Sequence, residues 1–302
     1  MNTAIGLIKQ TFEDWIEDKA PRLGAALAYY AIFSIPPFML LVVATLQVFY
    51  AGNVTAAVER QVGMLVGQET GASVMQILEA SVPANGIGSG VFGLGLLLFG
   101  ASGLFGQLQD AMNTIWEVKP KEGRGVLGIL KDRFLSFTMV LGTGFLLLVS
   151  LILTAAVSVF ASQLPGAAAL GQIAESGISF VVIALLFAMI FKILPDVKID
   201  WGDVWIGAIV TAILFVLGKA LIGVYLAKGA IASSYGAAGP LIMILIWVYY
   251  SAQILFLGAE FTQVYANRYG SRVVPADNAE PVSGEKRAQE GLTREKKTRT
   301  AS

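Results

Sequence analysis

Apolar residues gather in six long runs along this chain, at about 23–50, 86–108, 134–162, 176–194, 204–226 and 238–264. Each meets or approaches the roughly 20 apolar residues that a helix needs to cross a bilayer. The 176–194 run is the shortest, and Glu175 and Lys192 bracket it. The 23–50 run carries Pro36-Pro37 near its middle, which takes away two helix donors and predicts a break or kink. Outside the runs the pattern turns amphipathic. Ile5, Ile8, Phe12, Trp15 and Ile16 share one helical face with charges opposite, as in a helix lying on a membrane surface. Val54, Val58, Val62, Leu65 and Val66, then Val74, Ile77 and Leu78, predict short amphipathic helices between the first two runs, split near Gly71. From Ser271 the tail holds twelve charged residues of both signs in 32 positions and no aromatics, which predicts disorder.

The fold class that follows is an all-α membrane protein with six transmembrane helices. Its parts are an interfacial helix over residues 1–22, a membrane domain over 23–268 and a disordered charged tail over 271–302. The N-terminus has mixed charge and no signal-peptide pattern, so it is expected to be retained.

Small residues point to close helix packing. Eight glycines lie between Gly86 and Gly106, and Gly24, Ala28 and Ala31 recur at helical spacing in the first run.

Composition supports the membrane class and removes much chemistry. The 302 residues are 56% hydrophobic and 14% charged, against about 25% charged in soluble domains. Net charge is zero, so bulk charge offers no attraction to nucleic acid. Cysteine and histidine are both absent. Thiolate nucleophiles, Ser-His pairs and the commonest metal ligand are therefore excluded, and no catalytic residue, metal or cofactor is predicted. Charge also orients the chain. Eighteen Lys and Arg lie in the termini and alternate connections, against Arg60 and Lys228 on the other side. Both termini are predicted to be cytoplasmic.

Polar residues inside the runs are the functional candidates. In the last run Tyr249, Gln253 and Glu260 fall within about 40° of one another at 100° per residue, and Gln263 extends the stripe. Such a stripe faces protein or water rather than acyl chains. Arg22 is placed to pair with Glu260, since both sit at the inner ends of their spans. Lys219 lies about 22 Å along the fifth span and about 12 Å from its outer end, beyond easy snorkelling. Tyr29, Tyr30 and Ser34 precede the proline pair, where a discontinuous helix would free backbone groups for a ligand. Asp196, Asp200 and Asp203 cluster between the fourth and fifth spans. A cation site is one reading, and helix capping, with Asp203 as N-cap, is the other.

The segments RLGAALAYYAIFSIPPF (22–38), QLQDAMNTIWEV (107–118), LPDVKIDWGDVWIGAIVTAILFVLGKALIGVYL (194–226) and YGAAGPLIMILIWVYYSAQILFLGAEFTQVYA (235–266) resemble the YihY / virulence factor BrkB family. The resemblance covers roughly residues 10–270. It implies a six-span protein of the bacterial inner membrane and no settled activity; a former ribonuclease BN label on some members is regarded as an error. The expected function is a permease or flippase that moves a small solute or lipid through a polar cavity. A membrane scaffold is the alternative, and an enzyme the least favoured reading. Expected partners are membrane lipids and the transported molecule, with no nucleic acid; homo-oligomerisation is left open.

Overall fold

The computed structural model describes residues 3–49, 68–81, 90–121, 168–227 and 234–283, with single positions within 56–63 and 142–153. The helices are α1 (Thr3–Glu17), α2 (Ala20–Phe49), α3 (Gln68–Ser81), α4 (Gly90–Ile115), α5 (Ala168–Ile193), α6 (Trp201–Ala227) and α7 (Gly239–Tyr269). Among the described residues, three helices are long and apolar enough to cross a membrane: Gly171–Ile193, Trp201–Leu226 and Gly239–Tyr269. They carry the last three predicted spans. Helices α2 and α4 carry the first two, and the 134–162 run lies outside the described residues apart from isolated positions.

Helix α7 is the central element and packs against α1, α2, α3 and α6. Its contact with α6 is a reciprocal glycine–threonine exchange. A Cβ on Gly207 would lie 1.9 Å from the Thr262 Oγ1, and a Cβ on Gly258 would lie 2.0 Å from the Thr211 Oγ1. Each hydroxyl donates back to its own helix, Thr211 to the Gly207 carbonyl and Thr262 to the Gly258 carbonyl, both at 2.6 Å. The threonine polar atoms are thereby satisfied while the two backbones approach through the glycines. Gly218 continues the seam against Ile254 and Tyr250. Rising numbers on one helix meet falling numbers on the other, so the pair is antiparallel. On the α2 side Leu27, Ala28 and Ala31 are buried, and a Cβ on Gly24 would strike the Gln253 amide, as the predicted small-residue face requires. Of the α4 glycines, Gly103 meets the Tyr30 ring, while Gly106 has nothing within 4 Å.

Four expectations change. First, α2 runs unbroken through Pro36-Pro37. The prolines cost the donors facing the Ile32 and Phe33 carbonyls, yet flanking hydrogen bonds keep the helix continuous. Second, Gly71 does not split a helix; it lies inside α3, where a Cβ would fall 3.0 Å from the Gly63 Cα. Third, the fold is not purely helical. Strand β1 (Val118–Pro120) pairs antiparallel with β4 (Ala279–Pro281), and β2 (Val197–Lys198) with β3 (Val274–Pro275). Fourth, residues 271–283 are therefore ordered, because backbone pairing and polar anchors outweigh the tail's high charge. The remaining residues, 284–302, lie outside the described ones.

Helix α1 packs on α7, with Leu7, Thr11 and Asp18 buried, while Ile5, Ile8, Phe12 and Ile16 are exposed. Lys19 between α1 and α2, Glu117 after α4 and Arg272 after α7 adopt positive φ (52°, 56° and 61°). Each lets the chain leave a helix through the left-handed region at a cost of about 1 kcal/mol.

Candidate functional site

Lys219 opens into a cavity of about 430 Å³ between α5 and α6. Its wall is built by a helical face of α5 on which Gln172, Glu175, Ser176 and Ser179 recur at i, i+3, i+4 and i+7. Gln68 of α3 and Gly63 line another side, and Phe180, Ile183 and Val216 form the apolar floor. The helix pair is held deeper in by the Phe187–Phe215 edge-to-face contact at 5.6 Å and by Lys192, which donates to the Ile199 carbonyl and lies 5.6 Å over the Trp201 ring. A lysine on an apolar helix thus shares its cavity with amides, hydroxyls and a carboxylate. The arrangement can bind a polar group of small-molecule size, since ligand cavities run from about 300 to 1,000 Å³.

Of the eight residues predicted to line a cavity, Lys219 alone lines this one. Gln253 and Glu260 lie across α7 from it. At 100° per residue the Gly258–Thr262 face that meets α6 is turned well away from the Gln253–Glu260 stripe, and Gln253 meets α2. Glu260 is fully buried, whereas Arg22 is exposed, and no ion pair joins them among the described residues. Ser34 is buried and donates to the Tyr30 carbonyl at 2.9 Å. Tyr29 and Tyr30 are exposed in an edge-to-face pair, and Tyr249 is also exposed. The polar stripe of α5 straddles the start of the 176–194 run, so hydropathy alone does not show it; its i, i+3, i+4, i+7 spacing is the signal that does.

A second polar centre ties the tail to the helix ends. The Asp196 carboxylate accepts from Asn113 (2.9 Å), Gln109 (3.4 Å) and Asn278 (2.7 Å), and the Asp196 N–H donates to the Asn113 side chain at 2.8 Å. One acid therefore joins α4, the α5–α6 turn and the tail. Asp203 does not cap its own helix. It is the third residue of α6, and its carboxylate accepts from the Ser271 N–H and hydroxyl at 2.9 and 2.8 Å. A Cβ on Gly270 would lie 2.2 Å from that carboxylate, so any side chain there would displace Asp203 from Ser271. Lys198–Asp277 and Lys119–Glu280 ion pairs flank the strands. Among the described residues no three acids converge as a metal site would need. Asp196→Ala is expected to destabilise this end of the protein by about 2–3 kcal/mol, because three amides lose a charged acceptor. Faster proteolysis of the tail in the purified variant would register that loss.

The family profile described as Virulence factor BrkB matches residues 11–283. Among similar proteins, a UPF0761 membrane protein of Kangiella koreensis is 28% identical over 83% of this chain and 61% of its own length. Another from Aeromonas salmonicida is 27% identical over 81% of this chain and 83% of its own. The putative ribonuclease-like protein YfkH of Bacillus subtilis is 24% identical over 87% of this chain and 96% of its own. The chain spans about three fifths of the length of the Kangiella relative. No solved structure matches it. On a profile match across nearly its whole length, this chain belongs to the Virulence factor BrkB family and is a membrane protein.

Proposed function

We propose that this protein is a permease or flippase of the bacterial inner membrane, with six spans, both termini in the cytoplasm and its polar cavity facing outward. One observation carries the reading: Lys219, two thirds of the way along an apolar helix, lines a chamber with Glu175, Ser176, Ser179, Gln172 and Gln68. A scaffold has no use for a charged residue held at that depth, where insertion alone costs at least about 2.5 kcal/mol. The bias of Lys and Arg toward alternate connections supports the orientation. In that frame the exposed Ile5, Ile8, Phe12 and Ile16 rest on the inner leaflet, and the strand-paired tail caps the cytoplasmic end. The ribonuclease-like name of the Bacillus relative does not extend to this chain, whose Asp196 and Asp203 are occupied by amide, hydroxyl and backbone donors.

Reporter fusions at residues 70 and 170 are expected to read periplasmic, and fusions at residue 122 and the C-terminus cytoplasmic. A single reversed position breaks the six-span parity. Function is tested by reconstitution. Vesicles bearing the protein should release entrapped small zwitterionic or anionic solutes, or scramble head-group-labelled lipid, faster than protein-free vesicles. Equal rates for every probe would return the protein to the scaffold reading.

A further inference from the structure

We propose that residues 271–283 form a releasable latch across the helix ends, and that this latch opens and closes during the working cycle. The second half rests on the transport reading, and the first does not. The segment follows α7 and bridges to the end of α4, the α5–α6 turn and the start of α6. Strand β4 pairs with β1 just after α4, β3 pairs with β2, and Ser271 is held by Asp203 of α6. The four helix ends cannot part while these attachments hold. Most of what holds them is polar. The Asp196 carboxylate accepts from Asn278 at 2.7 Å, and its backbone carbonyl accepts from the Ala276 N–H at 2.9 Å. The Val282 N–H donates to the Glu117 carbonyl at 2.9 Å, and the Lys121 N–H to the Asn278 carbonyl at 3.0 Å. The Lys198–Asp277 pair is open to water, its side chains 59% and 92% exposed. From this segment Ala279 alone belongs to the apolar core among the described residues, and Val273 packs against it. Water replaces hydrogen bonds and exposed ion pairs at small net cost, whereas it replaces apolar burial poorly. A permanent brace would be packed like the glycine–threonine seam of α6 and α7. The backbone adds a second sign. Glu117 just before β1 and Arg272 just before β3 hold φ in the left-handed region, at 56° and 61°. Strain at both entrances relaxes when the strands part, which lowers the cost of opening.

Hydrogen exchange of the full-length protein in nanodiscs tests the release. The amides of Ser271, Ala276 and Val282 should exchange together, at least about a hundredfold faster than those of the α6–α7 seam. Asp196→Asn keeps the size of the side chain and removes its charge, so it should speed all three about tenfold and leave the seam unchanged. Asn278→Ala, which removes one donor to Asp196, serves instead if the first variant fails to fold. Exchange of the three amides only at the rate of the seam, by global unfolding, overturns the latch. A lock tests its part in the cycle. Lys119 and Glu280 face each other across β1 and β4, and the sequence has no cysteine, so Lys119→Cys with Glu280→Cys gives a single disulfide. In vesicles the reduced double variant should move entrapped glycine, entrapped glutamate or head-group-labelled phosphatidylethanolamine as the wild type does. Oxidation should cut that flux at least about tenfold, and reductant should restore it. Lys198→Cys with Val274→Cys, the facing pair of the other sheet, replaces a first pair that fails to fold. Undiminished flux with the bond fully formed overturns the proposed opening in the cycle. Absence of wild-type flux for every probe, beside the expected exchange, would instead remove the transport reading and leave the latch standing.

Discussion

Lys219→Met is expected to cut transport by at least about tenfold while membrane-inserted, folded protein stays at its normal level. The substitution keeps the length and volume of the side chain, so the apolar floor at Phe180, Ile183 and Val216 stays packed. It also spares the α6–α7 seam, which runs through Gly207, Thr211 and Gly218 rather than Lys219. What it removes is the positive charge that a substrate anion meets, and one charge-assisted contact of about 1.5–3 kcal/mol corresponds to tenfold or more in affinity. Lys219→Arg separates charge from shape: a mild effect means that charge alone is needed, a severe one that the compact ammonium matters. Glu260→Gln provides the contrast. Glu260 is fully buried on the other side of α7, so its replacement should lower yield or thermal stability more than flux per folded molecule. Flux divided by the amount of inserted protein, measured for all three variants, decides. Full activity of Lys219→Met would detach the cavity from function.

The second large effect lies in the seam itself. Gly207→Ala and Gly258→Ala are each expected to destabilise the protein by about 1–3 kcal/mol, since each new methyl falls inside van der Waals contact of a threonine on the facing helix. Helix repulsion, not lost polarity, is the cause. Thr262→Ser should therefore be mild, as it keeps the hydroxyl that bonds to the Gly258 carbonyl, and Thr262→Ala should partly rescue Gly207→Ala. Partial rescue in thermal melts supports direct contact; additive losses in the double variant would deny it.

How much of this was legible in the sequence follows the physics of each element. Helices α5, α6 and α7 cover the predicted 176–194, 204–226 and 238–264 runs but for Leu194 and Ala238, because a span is specified locally, by apolar length. Helix α5 begins eight residues before the 176–194 run: the segment 168–175 looks like a loop until Gln172, Glu175, Ser176 and Ser179 are seen as one face. Lys219 stands out from depth alone, but the polar residues that share its cavity lie on α3 and α5, and no spacing within α6 names them. Asp196, Asp200 and Asp203 looked like a cluster, whereas in space Asp196 points to α4 and the tail, and Asp203 to Ser271. The tail was misjudged for a similar reason. Strands two or three residues long have no readable period, and those at 274–275 and 279–281 exist only because they meet partners at 197–198 and 118–120.

The proposed outward opening of the cavity between α5 and α6 is directly measurable, because the sequence has no native cysteine. Ser176→Cys and Ser179→Cys, each on the cavity wall, would be treated in intact cells with a membrane-impermeant maleimide, alongside Ala212→Cys at a fully buried position. Both cavity positions are expected to label from outside, more slowly in the presence of the transported molecule, and residue 212 is expected not to label. Failure of both cavity cysteines to label from outside, or labelling from the cytoplasmic side alone, would contradict the outward opening.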